Sequence, residues 1–236
     1  MRRRIMSRTR RLPTPAPPAE RGFHGDLAYT LWLPEKPPWG GMIVLHGAGS
    51  CKESHHDMAR AARAAGLAAA AFDLRGHGET GGALDGRVFE DIAAVATLLP
   101  EPVVLRGSSL GGYLAIAAAE RVGAEAVVAI CPAHAHGLAT GLRSGRLDFP
   151  VDLPSVEALL AEHDLGLIVE QSAVPLMLIH AEGDEHVPFQ HSAQLHERSA
   201  APLKRLIVVP GGHHRSAQHD AELQGESLRF IRRALS

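Results

Sequence analysis

The chain has 236 residues, 45% of them hydrophobic, which is enough for one domain with an ample core. Only 4% are aromatic, so that core must be built from Ala, Leu and Val in close helix–sheet contacts. The formal net charge of −2 hides an asymmetry: six of the 24 basic residues fall in residues 1–19, leaving 18 basic against 26 acidic residues beyond them, a balance that disfavours nucleic acid and anionic membranes as partners.

Residues 1–20 carry Arg2, Arg3, Arg4, Arg8, Arg10 and Arg11, then Pro13-Thr14-Pro15-Ala16-Pro17-Pro18. This stretch lacks the apolar run of a secretory signal, and its prolines break the amphipathic helix of a transit peptide. It reads as a disordered extension ahead of a single domain over 21–236. No repeat, heptad or apolar run long enough to cross a membrane follows. Cys51 and Cys131, as free thiols, fit a reducing cytoplasm.

In chain order, the apolar run at 42–45 reads as a buried strand, followed by the small residues of His46-Gly47-Ala48-Gly49. A helix is expected over 52–65, a strand ending before Asp73, and a helix over 87–99. The strand at 102–106 leads into Gly107-Ser108-Ser109-Leu110-Gly111 and a helix over 110–122. A G-x-S-x-G pentapeptide gains meaning in this strand–turn–helix context. There Ser109 would sit in a strained turn, its hydroxyl exposed at the sheet edge, with helix N–H groups beside it. The strands at 126–130, 176–179 and 206–209 follow, with helices over 189–200 and 216–235. Strands alternating with helices indicate an α/β fold with a mostly parallel sheet. Ala48, Ser109, Asp184 and the pair His213-His214 each lie just past a strand's carboxyl end, where such sheets gather their sites. The backbone N–H groups of Ala48 and Leu110 would form an oxyanion hole, each donor contributing about 2.7–4 kcal/mol.

These residues carry a resemblance. The chain is similar to the α/β-hydrolases from about residue 27 to its C-terminus, in the order oxyanion loop, Ser, Asp, His. Asp73-Leu74-Arg75-Gly76-His77-Gly78 resembles that family's turn after its fourth strand, and Val187-Pro188 commonly follows its acid. The Gly211-Gly212-His213-His214-Arg215-Ser216 segment resembles the ending of small bacterial serine esterases, which places the base at His214 with His213 as its neighbour. The resemblance implies a central sheet flanked by helices with a small lid insertion. It also implies nucleophilic acyl transfer through Ser109, His214 and Asp184, with no cofactor. A serine at the elbow argues against haloalkane dehalogenation. It does not separate carboxylic-ester hydrolysis, the leading expectation, from thioester, amide, acyl-transfer or carbon–carbon chemistry. A non-catalytic, ligand-binding member of the fold is disfavoured because all three residues are present.

Other candidates have simpler readings. The fifteen histidines include His55-His56 and His134-x-His136, but none carries the spacing that puts metal ligands on one face. His46 is expected to shape its loop, and Asp73 and His77 to form a turn; Asp91 is a rival acid. Residues 133–170 exceed what a minimal connection needs and read as a lid, with a helix at 154–162 capped by Ser155. That segment mixes Arg143, Arg146, Asp148 and Asp152 with few large apolar groups, pointing to a short-chain or polar ester as the small-molecule substrate. Gly47, Cys131, His134 and His213 are the candidate substrate contacts.

Overall fold

The computed structural model describes residues 15–236, so most of the arginine-rich segment lies outside the described residues. Eight strands form one sheet: β1 Glu20–His24, β2 Leu27–Trp32, β3 Gly41–Leu45, β4 Ala68–Phe72, β5 Val103–Ser108, β6 Ala126–Ile130, β7 Leu176–Ala181 and β8 Lys204–Val209. Their order across the sheet is β1-β2-β4-β3-β5-β6-β7-β8. Among the described strands, only the β1–β2 and β2–β4 pairings are antiparallel. Glu20, placed in the extension by the sequence, is instead the first residue of β1: it pairs with Leu31, and its carboxylate accepts the Tyr29 hydroxyl.

Helices cover both faces. On one lie α2 (Val88–Ala96), α3 (Leu110–Ala118), the three helices α4 (Ala135–Arg143), α5 (Leu153–Glu162) and α6 (Leu165–Gln171), and α7 (Gln190–Arg198). On the other lie α1 (His56–Ala64), entered through a 3-10 turn at Lys52–His55, and α8 (Ala221–Ala234). Strand β3 shows why two cores result: Ile43 and Leu45 face the first, Met42 and Val44 the second, as the two-residue period of a strand requires. Buried on both faces, the inner strands read as continuous apolar runs.

Helix α8 starts five residues later than the sequence suggests. Asp220 caps it by accepting the N–H groups of Glu222 and Leu223. Helix α5 is capped by Asp152 and not by Ser155, whose N–H the Asp152 carboxylate accepts. The Ser155 hydroxyl instead accepts the Gly86 N–H at 2.9 Å, tying α5 to the loop before α2.

The chain leaves β3 towards β4, then crosses back to β5 on the other side of β3. Leu45 and Gly107 are paired at the carboxyl ends of β3 and β5, so the loops carrying Ala48 and Ser109 open onto this switch point.

Candidate active site

Ser109 has φ 54 and ψ −117, a left-handed conformation rare for a residue with a side chain. Backbone bonds hold it there. Its N–H donates to Ile130 O at 2.9 Å, and its carbonyl accepts the N–H groups of Tyr113 and Ala133, both at 3.0 Å. The turn closes only because the flanking glycines lack side chains: a Cβ at Gly107 would meet the Gly111 carbonyl, and one at Gly111 would meet Leu45 O and His46 O.

Strand β3 delivers the neighbouring loop to this turn. A Cβ on Gly47 would lie 3.3 Å from Ser109 Cβ, so the loop rests against the elbow. His46 shapes it: Nδ1–H donates to Gly47 O at 2.8 Å, and Nε2 accepts the Leu74 N–H at 3.0 Å. His77 Nε2 accepts the Gly49 N–H at 3.1 Å. The N–H groups of Ala48 and Leu110 have no protein acceptor among the described residues, and Leu110 opens α3, where helical N–H groups are unpaired.

Burial pushes His46 down to about 4. The unfolded chain binds that proton near pH 6.5, so this stability is complete above pH 6.5 and lost as the pH falls towards 4. At about 1.4 kcal/mol per pH unit, the loss amounts to about 3 kcal/mol. Melting temperatures between pH 7 and 4.5 are expected to fall more gently in His46→Gln than in the parent, the difference in slope isolating this group.

Asp184 lies in the turn after β7, its side chain fully buried. Oδ1 accepts the N–H groups of His186 and Val187, both at 2.8 Å, and Oδ2 accepts His214 Nδ1–H at 2.7 Å. Burial alone would raise its pKa, but bonds from His180, His214 and the two backbone N–H groups outweigh it and hold the carboxylate far below the usual range. His214 is further fixed by its own N–H, which donates to Glu185 Oε2 at 3.1 Å. His213 faces another way: its Nδ1 accepts the Arg215 N–H, and its backbone N–H donates to Ser216 Oγ. The structure therefore pairs His214, and not His213, with Asp184.

Ser109, Ala48, His134 and His214 line one cleft of about 420 Å³, with Leu138 and Arg146 among its other walls. Of the four candidate substrate contacts, only His134 is on that lining. Gly47 is packed beneath the elbow, His213 is turned to the Arg215 N–H, and Cys131 is 1% exposed. The sequence did not single out Arg215, Glu185 or His186, which also line the cleft beside His214.

Ligand atoms of Cys131, Asp184 and His214 lie within 4.8 Å of one another. Burial pushes the Cys131 thiol up to about 12, and His214 Nδ1–H is donated to Asp184, so the trio offers a thiol and a hydrogen bond where a metal needs thiolate and lone pair. Both cysteines are free. The rival acids are committed elsewhere. Asp91 holds Arg75 through two bonds of 2.8 Å. Asp73 accepts the Lys52 and Glu79 N–H groups and pairs with Lys52 Nζ at 2.7 Å. Burial pulls the Lys52 ammonium down, but its bonds to Asp73, Glu79 and Glu53 prevail and hold its pKa above the usual lysine range.

A parallel sheet with a strained serine at its switch point defines an α/β-hydrolase architecture. The profile of the Alpha/beta hydrolase family matches residues 42–167, and the chain belongs to that family. It is 27% identical over 254 aligned positions to the monoacylglycerol lipase of Mycolicibacterium smegmatis, a match covering 83% of this chain and 90% of that protein. It is 29% identical over 181 residues to YfhR of Escherichia coli O157:H7, covering 70% of this chain but only 60% of that relative's length. The solved structure of Est1E from Butyrivibrio proteoclasticus with ferulic acid superposes with a TM-score of 0.73 at 19% identity, covering 92% of this chain and 99% of that one.

Proposed function

We propose that the protein hydrolyses carboxylic esters through Ser109, His214 and Asp184. The observation that carries this reading is the 2.7 Å bond from His214 Nδ1–H to Asp184, which leaves Nε2 without a partner among the described residues in the cleft that also exposes Ser109. His214 Nε2 takes the Ser109 proton as Oγ attacks the carbonyl carbon. The N–H groups of Ala48 and Leu110 hold the oxyanion, and His214–H⁺ passes the proton to the leaving alcohol. Water then cleaves the acyl-enzyme by the same route, restoring Ser109.

A short-chain or polar ester fits the cleft, whose walls alternate apolar Leu138 and Leu147 with Arg146, Glu185 and Arg215. The M. smegmatis relative, a monoacylglycerol lipase by name, supports a glycerol-type ester within that class. Helices α4 and α5 act as the lid, anchored by the bond between Ser155 and Gly86. No helix among the described residues is long and apolar enough to cross a membrane. The two free thiols support a cytoplasmic setting.

The test is labelling by a fluorophosphonate together with turnover of nitrophenyl acetate and butyrate, followed by a panel of acyl lengths, thioesters and amides. Folded protein that takes no label and turns over no ester would overturn the reading. In separate variants, His214→Ala is expected to lose about 10⁴-fold or more in kcat. His213→Ala is expected to stay within a few-fold of the parent. The reverse pattern, read by steady-state kinetics, would move the base to His213.

A further inference from the structure

Asp184 is met by a second imidazole. His180, in β7, is completely buried, and its Nε2 lies 2.9 Å from Val187 O and 3.3 Å from Asp184 Oδ2. A carbonyl and a carboxylate oxygen can only accept, so Nε2 carries the hydrogen. On the other side of the ring, Nδ1 lies 2.7 Å from the hydroxyl of Ser192, itself completely buried in α7. The Ser192 O–H donates there, which fixes the tautomer. The backbone of Val187 closes the arrangement, because its N–H serves Asp184 Oδ1 while its carbonyl takes the His180 proton.

Burying a histidine and a serine at the heart of the sheet is unfavourable unless every polar atom is satisfied. Here both ring nitrogens are engaged, and Nε2–H is directed at the turn that bears Asp184. We propose that His180, locked by Ser192, is a positioning residue that holds Asp184 Oδ2 in line with His214 and tempers the pull of that oxygen on the His214 ring. This rests on the Ser109–His214–Asp184 reading above. While it donates to Val187 O, the Nε2–H edge of His180 lies beside Oδ2 at 3.3 Å, so its positive end shares the charge of that oxygen with His214 Nδ1–H. Its loss strengthens the hold of Asp184 on the protonated imidazole and leaves the placement of Oδ2 to His214 alone, with Oδ1 still on its two backbone N–H groups.

Several titratable groups face this pair. His214 and His186 come from the site itself, with Glu185 beside them. Cys131 faces Asp184 from the end of β6, and His191 faces His180 from α7. All of them remain in the variants at 180 and 192, although His191 loses its charge coupling to His180 when 180 is replaced.

The test compares His180→Leu, His180→Gln and Ser192→Ala with the parent in kcat, KM and the pH profile of kcat/KM. Leucine fills the space without a donor. It is expected to lower kcat about 10- to 100-fold, the scale set by removing an orienting partner, with KM changed less than threefold. The acid limb of the profile is expected to move to higher pH. A glutamine amide can reach both Val187 O and Asp184 Oδ2, so His180→Gln should recover to within a few-fold of the parent. Ser192→Ala should shift the limb in the same direction by less, and it carries the test if His180→Leu fails to fold. Folded variants with an unmoved acid limb, or a glutamine variant no better than leucine, would overturn the proposal. A parent that takes no fluorophosphonate label would sink the proposed function instead, so the two failures are told apart.

Discussion

Replacing Ser109 by alanine is expected to lower kcat for ester hydrolysis by roughly 10⁵- to 10⁶-fold and to leave the fold intact. The bonds that hold the elbow are made by the Ser109 backbone, to Ile130 O, Tyr113 N and Ala133 N, and alanine keeps all three. Alanine at φ 54 is about as strained as serine, so the turn and the N–H groups of Ala48 and Leu110 stay in place. These donors would still polarise a bound carbonyl, leaving a residual rate about 10³-fold above water. Single-turnover kinetics on nitrophenyl butyrate, beside a melting curve, measures both claims. A folded variant retaining more than about a tenth of parental turnover would exclude Ser109 as the nucleophile.

Asp184→Asn is expected to cost about 10⁴-fold in kcat, through a tautomer and not through lost contact. Oδ1 accepts two backbone N–H groups, from His186 and Val187, so the asparagine oxygen takes that position and its NH₂ replaces Oδ2. That NH₂ then faces the ring nitrogens of His214 and His180. It forces His214 to present a bare Nδ1 and to carry its proton on Nε2, where it cannot accept from Ser109. Substrate binding is untouched because Asp184 is buried, so KM should change little. Steady-state kinetics, with the His214 tautomer read by nitrogen NMR, checks this. An asparagine variant retaining Nδ1–H and near-parental turnover would contradict it.

Much of this was legible in the sequence because parallel strands buried on both faces advertise themselves. The runs that open β3, β5, β6 and β7 are apolar and buried, β8 is apolar over 206–209 although partly exposed, and the chemistry follows their ends. Strand β4 was placed only through the Asp73 turn that follows it. Its residues Ala68–Ala71 favour helix, and they become a strand because β2 and β3 offer partners on both sides. The β1–β2 hairpin did carry a local signal, the two-residue Gly25-Asp26 connection between His24 and Leu27, with Gly25 at φ 59. Lys52 and Arg106 were illegible as buried cations because their partners are remote in sequence. Arg106 donates to Gln218 O at 2.9 Å across 112 residues, and burial draws it down to about 10. The choice between His213 and His214 is likewise made by the backbone. Gly211 and Gly212, at φ 63 and 72, swing the chain so that the second imidazole meets Asp184.

The placement of His214 has a consequence for endurance. Strands β3 to β7 are buried along their whole length, whereas β8, which ends just before the His214 loop, is an edge strand with every residue at least partly exposed. Such an edge detaches with less free energy than the molecule as a whole needs to unfold. Warming would therefore part the base from its acid while Ser109 still stands in an intact sheet. The enzyme would fall silent before it melts, and cooling would restore it, because the elbow that β8 returns to has never come apart.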